Sequence, residues 1–213
     1  MSNRTVMVTG AAGNLGRALA KAFADLGANV VPVDLPTNLL DQAQVDAAVQ
    51  NAIRQFKRID VLCNIAGGFR MGAPVHETSD KDWNFLLDLN ARSVLHAARA
   101  VVPHMIAAGG GKIVNVGAYA AQKGAANMGA YIASKSAVIR LTETMAAELR
   151  EKNINVNCVL PSIIDTPENR AAMPKADPRR WVAPEDLAKV IVFLASDEAR
   201  AVHGAALPVT GLS

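Results

Sequence analysis

Short apolar runs alternate along the chain with longer stretches whose apolar positions recur at helical spacing. The short runs, rich in β-branched residues, predict buried strands. They cover residues 4–9, 29–34, 37–40, 59–64, 112–117, 154–160 and 206–210. The longer stretches predict helices over 14–27, 41–57, 79–107, 126–152 and 184–196. This alternation indicates an α/β fold in which helices cover both faces of a parallel sheet.

A glycine-rich turn joins the first predicted strand to the first predicted helix. Its sequence is Thr9-Gly10-Ala11-Ala12-Gly13-Asn14-Leu15-Gly16. Glycines let a backbone approach a pyrophosphate closely, and a helix N-terminus offers free N–H groups and the positive end of a dipole. Asp34 ends the second strand about 20 residues later, the separation expected of a carboxylate that binds the adenosine ribose. This arrangement predicts a dinucleotide site.

Tyr131 and Lys135 stand four residues apart in Tyr131-Ile132-Ala133-Ser134-Lys135, within a predicted helix. Positions i and i+4 share one helix face, so the phenol and the ammonium point the same way. A nearby cation favours the phenolate and lowers the pKa of a tyrosine, which is ordinarily about 10. The pair therefore suits a general acid/base that acts on a hydroxyl or carbonyl oxygen.

Five motifs in their order and approximate spacing resemble the short-chain dehydrogenase/reductase family nearly from end to end. They are the glycine turn, Asn64-Ile65-Ala66-Gly67, Asn90, the Tyr131–Lys135 segment and Pro161-Ser162-Ile163-Ile164-Asp165-Thr166. The resemblance implies a single Rossmann-type doubly wound sheet over residues 1–213 and a nicotinamide cofactor. It also implies an enzyme that transfers a hydride between nicotinamide and a small carbonyl or alcohol substrate.

The resemblance also implies a role for individual residues. Tyr131 would be the acid/base, Lys135 would lower its pKa and bind the nicotinamide ribose, and Asn90 would hold a water that links the lysine to solvent. Asn38 and Leu39 would line the adenine pocket, and Ile164 and Thr166 would bind the carboxamide. The implied cofactor-binding residues are Gly10, Gly13, Asn14, Leu15, Gly16, Asp34, Asn38, Leu39, Asn64, Ala66, Gly67, Tyr131, Lys135, Pro161, Ile164 and Thr166.

The chain departs from the family pattern at the catalytic serine. Ala118 stands at that position, and the hydroxyl of Ser134 cannot replace it because its family equivalent is structural. The connection from Asp34 to Asp41 is also about a helix shorter than usual. Both departures, together with the segments around Gly67, Ala118 and Thr166, resemble the dihydropteridine reductases.

Three functions remain open at this point. The chain can be an alcohol/ketone dehydrogenase in which water or backbone replaces the serine. It can instead be an NADH-dependent reductase of a quinonoid or pterin-like substrate, which needs no polarising serine. The third alternative is a catalytically silent NAD-binding regulator, although the retention of Asn90, Tyr131 and Lys135 argues against it.

Charge predicts the cofactor preference. Asp34 accepts hydrogen bonds from ribose hydroxyls and repels a 2′-phosphate, and Leu35 and Pro36 supply no cation to offset that repulsion. We therefore expect NAD(H) to be preferred over NADP(H).

Composition limits the other partners. A formal charge of +3 over 213 residues, with no basic run, gives no argument for nucleic acid, and no apolar stretch is long enough for a membrane span. Cys63 and Cys158 fall in separate strands, show no metal spacing and predict buried small side chains in a reducing cytoplasm. Apolar residues on helices 79–107 and 126–152 predict a two-fold homo-oligomer, a tetramer or a dimer. The proline-rich segment 162–183 predicts a lid over a small-molecule substrate.

Overall fold

The computed structural model describes residues 1–213 and contains one six-stranded sheet in which every pairing is parallel. The strands are β1 (Thr5–Thr9), β2 (Asn29–Val33), β3 (Val61–Asn64), β4 (Gly111–Val116), β5 (Ile154–Pro161) and β6 (Ala206–Val209). Their order across the sheet is β2-β1-β3-β4-β5-β6. The predicted parallel α/β architecture is confirmed.

Seven α-helices connect and cover these strands. They are α1 (Asn14–Asp25), α2 (Gln42–Phe56), α3 (Asp80–Leu87), α4 (Ser93–Ala107), α5 (Gly129–Leu149), α6 (Pro167–Ala172) and α7 (Pro184–Leu194). The single helix predicted over 79–107 is divided, because a five-residue π-helical segment, Asp88–Arg92, separates α3 from α4. No helix of the chain is both long enough and apolar enough to pass through a membrane.

Two hydrophobic cores lie on opposite faces of the sheet, as the alternation of side chains along a strand requires. Val6 and Val8 of β1 face the core formed with α1 and α7, where Phe23 is fully buried. Met7 of the same strand faces the other core, formed with α2 and α4. Cys63 and Cys158 are free and buried, as predicted.

The strand predicted over 37–40 is wrong. Residues after β2 form turns until Asp41, whose side chain caps α2 by accepting hydrogen bonds from Ala43 N and Gln44 N. A further parallel strand needs a crossover of about a dozen residues or more, and this connection is too short for one. β2 is therefore the edge of the sheet, where Pro32, which has no N–H to donate, is tolerated.

Most of the apolar helix residues from which a homo-oligomer was predicted are buried within the single chain. Val94, Val101, Val138 and Ile139 are all buried within the chain itself, whereas Leu95 is 43% exposed. Most of the residues behind that prediction thus serve the chain's own core. The homo-oligomer stays a prediction that the single chain does not test.

The sheet topology places a crevice beside β1. The connection after β1 leads to β2 on one side, and the connection after β2 returns across to β3 on the other side. In open parallel sheets ligands bind at such a switch point, outside the carboxyl ends of the strands. The segments that follow β1 and β3 both begin at this edge, and they carry the glycine turn and Ala66-Gly67.

Close packing explains two glycines of the turn. Gly10 has a φ of +67°, and a Cβ there would lie 2.7 Å from Ala66 Cα. A Cβ on Gly16, in the first turn of α1, would lie 2.1 Å from Gly10 O. A side chain at Gly10 would force apart the segments that follow β1 and β3, and a side chain at Gly16 would push α1 away from the glycine turn.

We expect Gly16→Ala to lower the free energy of unfolding by about 1–3 kcal/mol, because backbone atoms must move to admit the new methyl group. Gly124→Ala is the matched control, since a Cβ at Gly124 meets nothing within 4 Å. Urea unfolding followed by circular dichroism measures both variants. Equal stability of the Gly16→Ala variant and the parent would contradict this packing.

Candidate functional site

The glycine turn and Asp34 form one end of the crevice. Gly10 N donates to Val33 O at 2.9 Å, and Ala12 N donates to Asp34 Oδ2 at 2.8 Å. Asp34 therefore lies against the turn, and its contact with a nucleotide ribose stays a prediction. The N-terminus of α1 has no side-chain cap, which leaves the N–H groups of its first turn available to an anion.

The segment after β5 reaches the same turn. Asn14 Nδ2 donates to Glu168 Oε2 of α6 at 2.9 Å, and Arg17 Nη2 donates to Asn14 Oδ1 at 2.8 Å. This contact joins the segment predicted as a lid to the first turn of α1. Sequence reasoning missed Glu168, because no local pattern shows that α6 packs against a turn more than 150 residues earlier in the chain.

Local hydrogen bonds fix the beginning of that segment. Thr166 caps α6 by accepting from Asn169 N at 3.2 Å, and Asn169 Nδ2 donates to Ile164 O at 2.8 Å. Arg170 makes a bidentate contact with Asp165 at 2.6 and 2.7 Å. Ile164 and Thr166, which follow Pro161 at the end of β5, are thereby held at the carboxyl edge of the sheet.

The segment from Leu35 to Leu40 holds the predicted adenine residues. Asn38 N donates to Gln44 Oε1 at 2.9 Å, and the Leu39 carbonyl lies 3.0 Å from His96 Nδ1 of α4. These contacts attach the turn to α2 and α4 in place of a sheet pairing.

Asn64 has a different environment from the other predicted cofactor residues. Its Nδ2 donates to Asn115 Oδ1 at 2.8 Å, which joins β3 to β4, and its buried Oδ1 has no hydrogen-bond partner. Ala66 rather than Asn64 supplies the close approach to Gly10.

Tyr131 and Lys135 occupy the first turns of α5, as predicted. Lys135 is 5% exposed, and its Nζ donates at 2.8 Å to the carbonyl oxygen of Val116, the last residue of β4. A Cβ on Gly67 would lie 3.0 Å from this Nζ and 2.8 Å from Asn90 Oδ1. The absence of a side chain at Gly67 therefore allows α5, Asn90 and the segment after β3 to meet.

Asn90 connects these parts through hydrogen bonds of its side-chain carboxamide. Gly68 N donates to Asn90 Oδ1 at 2.9 Å, and Asn90 Nδ2 donates to Gly68 O and to Ser134 Oγ, each at 3.0 Å. The residue lies in the π-helical segment, and such segments occur frequently at functional sites. Ser134 donates in turn to Tyr131 O at 2.7 Å and is completely buried, so its hydroxyl is used structurally, as predicted.

Burial shifts the pKa values of both α5 residues. It raises the pKa of the Tyr131 phenol to about 12 and lowers the pKa of the Lys135 ammonium to about 8. In each case desolvation disfavours the charged form. The lowering of the Tyr131 pKa expected from the sequence is therefore not observed, because burial shifts this pKa upward.

No hydroxyl replaces the missing serine at its own position. Ala118 is 4% exposed and belongs to an apolar cluster with Val94, Val138 and Leu160, against which Tyr131 packs. On its other side the Tyr131 ring meets Phe69 edge-on. Sequence reasoning missed Phe69, because no local pattern shows that the residues after Gly67 pack against α5.

We expect the buried Lys135 to make stability depend on pH. Between its folded pKa of about 8 and its ordinary value of 10.5, the unfolded chain binds more protons than the folded chain. Stability must then rise with pH across that interval, by up to about 3 kcal/mol from this group. Lys135→Met should remove this rise, which denaturant unfolding of both proteins at several pH values measures. Parallel stability curves for the two proteins would contradict the burial of a charged Lys135.

Comparison with known proteins agrees with this geometry. A family model described as enoyl-(acyl carrier protein) reductase matches residues 32–211. The 3-oxoacyl-(acyl-carrier-protein) reductase of Thermotoga maritima is 32% identical, over 99% of this chain and 98% of the relative.

Solved structures resemble the fold over nearly the whole chain. Carveol dehydrogenase from Mycobacterium avium in complex with NAD superimposes with a TM-score of 0.91 at 27% identity, covering 99% of this chain and 97% of the other. NAD⁺-bound xylitol dehydrogenase gives a TM-score of 0.90 at 28% identity, covering 99% and 98%. The chain belongs to the short-chain dehydrogenase/reductase family, whose members are NAD(P)-dependent oxidoreductases.

Proposed function

We propose that the chain is an NAD(H)-dependent oxidoreductase that transfers a hydride between nicotinamide and a small carbonyl or alcohol substrate, with Tyr131 as the acid/base. The observation that carries the proposal is the meeting of Lys135 and Asn90 at Gly67, on the same sheet edge as the glycine turn. That edge offers an anion-binding helix terminus and a proton-bearing side chain within one folded unit of residues 1–213.

The residues of the crevice fit a dinucleotide. Gly10 and Gly16 let the glycine turn pack closely against Ala66 and against the first turn of α1, and the uncapped N-terminus of α1 can receive a pyrophosphate. Gly10, Gly13, Asn14, Leu15 and Gly16 would hold the phosphates, and Asp34 the adenosine ribose. Bound nicotinamide supplies or accepts the hydride.

The chain's own residues supply the proton. With a pKa of about 12, the Tyr131 phenol is protonated at neutral pH and can donate to a carbonyl oxygen as that oxygen gains negative charge. Lys135, with a pKa of about 8, is mainly cationic at the same pH and stabilises the phenolate that forms. Asn90 holds the segment after β3 against α5 and so keeps these groups in place.

The first prediction of this proposal concerns Asp34. NADH should bind at least tenfold more tightly than NADPH, because a 2′-phosphate would meet the Asp34 carboxylate, and Leu35 and Pro36, which follow Asp34, carry no positive charge. Asp34→Ala should narrow that difference, and it should also weaken NADH binding, since the Ala12 N–H loses its acceptor. Titration of protein fluorescence with each cofactor measures both effects. Equal affinity of the parent for the two cofactors would contradict the preference.

The second prediction concerns Tyr131. Tyr131→Phe should reduce turnover by about a hundred- to ten-thousand-fold while NADH still binds, because the variant lacks only the proton donor. Steady-state kinetics and cofactor titration on the same preparation separate the two effects. Undiminished turnover in the variant would reject Tyr131 as the acid/base.

Ala118 favours a second candidate, reduction of a quinonoid or pterin-like substrate. Such a conjugated imine is already electrophilic, so it needs no second donor beside Tyr131. Ala118→Ser distinguishes the two candidates. For a simple ketone the added donor should raise kcat by stabilising the developing oxyanion, whereas for a quinonoid substrate it should change kcat little.

We also propose the remaining partners and the compartment. Leu95 and Ile106, both exposed on α4, support a homo-oligomer formed through that helix, for which light scattering is the test. Two unpaired buried cysteines are consistent with a reducing cytoplasm.

A further inference from the structure

Phe69 is a half-exposed aromatic side chain placed directly against Tyr131. The two ring centroids are 4.9 Å apart, and the ring planes meet at 86°, a T-shaped arrangement. Phe69 is nevertheless 55% exposed, so a large part of the residue is open to solvent. It therefore offers apolar surface next to Tyr131 against which a bound molecule can pack.

The backbone before Phe69 is held firmly. Both Gly68 N and Gly68 O are hydrogen-bonded to the Asn90 carboxamide, at 2.9 and 3.0 Å. A Cβ on Gly68 would lie 2.9 Å from Leu89 Cδ2, so this residue lies flat against the π-helical segment. Phe69 is therefore presented from a fixed position rather than from a free loop.

Two of the charged groups in the cavity that adjoins Tyr131 form an ion pair with each other. Arg70, Glu77 and Asp82 line this cavity, which lies between the segment after β3 and the beginning of α5. Arg70 Nη1 contacts Asp82 Oδ1 at 2.7 Å and its guanidinium lies 4.2 Å above the Phe85 ring. Glu77 Oε1 lies 3.3 Å from His76 Nε2.

The polar groups of the α3 cap are also used. Ser79 accepts from Asp82 N at 3.1 Å and donates to Asp82 Oδ2 at 2.8 Å. Thr78 donates to Pro74 O at 3.2 Å. Across the Tyr131 ring, the Ala118 cluster is apolar. The surroundings of the phenol thus offer apolar surface at Phe69 and the Ala118 cluster, and the Asn127 carboxamide is a cavity side chain without a hydrogen bond.

We propose that Phe69 is a specificity-determining residue whose ring selects ketones flanked by an apolar ring over polyhydroxylated open-chain ketones. The proposal rests on the proposed function, since Phe69 acts on the substrate only where Tyr131 does. An apolar ring on the substrate removes water from Phe69 and gains dispersion contacts. The hydroxyl groups of a polyol would instead lose their hydration and find few partners.

The test compares NADH-dependent reduction of cyclohexanone and dihydroxyacetone by the parent and by Phe69→Ala. The parent should favour cyclohexanone in kcat/KM by at least about tenfold, and Phe69→Ala should reduce that ratio by about tenfold or more. Only the kcat/KM for cyclohexanone should fall in this variant. Phe193→Ala is the matched control, because Phe193 is similarly exposed, at 46%, but lies on α7; its ratio should equal the parent's.

A binding measurement separates this inference from the proposed function. Thermal melting of each NADH complex is recorded with either ketone, and cyclohexanone should stabilise the parent but not Phe69→Ala. Selective stabilisation without turnover would support the role of Phe69 and reject the proposed reaction. Any of three results would overturn the inference. The parent prefers dihydroxyacetone; or Phe69→Ala has the same ratio of the two kcat/KM values as the parent; or neither ketone is reduced and neither stabilises the NADH complex.

Discussion

The hydrogen bonds of the buried Asn90 carboxamide are the interaction on which the site depends. One side chain binds both the N–H and the carbonyl of Gly68 and also the hydroxyl of Ser134 on α5. The segment after β3 and the helix that carries Tyr131 and Lys135 are therefore held at one separation. A buried carboxamide with all of these partners satisfied is rigid, whereas loss of it would leave several polar groups unpaired in the interior.

Around this connection, glycines stand at positions where two segments come into close contact. Gly10 approaches Ala66, and Gly67 leaves room for Asn90 Oδ1 and Lys135 Nζ. Burial removes water from Lys135 and from part of Tyr131. The result is a neutral phenol and an ammonium that holds its proton less tightly than usual, which is the combination that a proton donor with a cationic neighbour requires.

The sequence predicted most of this arrangement because the decisive signals are local. Strand, glycine turn and helix follow one another around Gly10–Gly16, and an i, i+4 pair on one helix was sufficient to place Tyr131 and Lys135 together. The short apolar run at 37–40 resembled a strand, but its connection is too short for a crossover, a constraint of topology rather than of composition. The π-helical segment at Asp88–Arg92 interrupts a stretch whose periodicity is otherwise helical, so no apolar pattern marked it.

Contacts between distant segments could not be predicted. Glu168 meets Asn14 and Phe69 meets Tyr131 only because the sheet brings their segments to one edge. The sign of the Tyr131 pKa shift was also beyond the sequence. A cation four residues away predicts a lowered pKa, and only the folded structure reveals that partial burial of the phenol raises it instead.

The central claim is that Tyr131 is a buried, protonated donor, and tyrosinate absorbance tests it most directly. The chain has 2 tyrosines, so a Tyr119→Phe variant leaves Tyr131 as the sole phenol that can ionise. While circular dichroism shows the chain to be folded, the variant should develop no tyrosinate absorbance below about pH 11, because burial raises the Tyr131 pKa to about 12. Ionisation of the folded variant at about pH 10 or below would contradict the account.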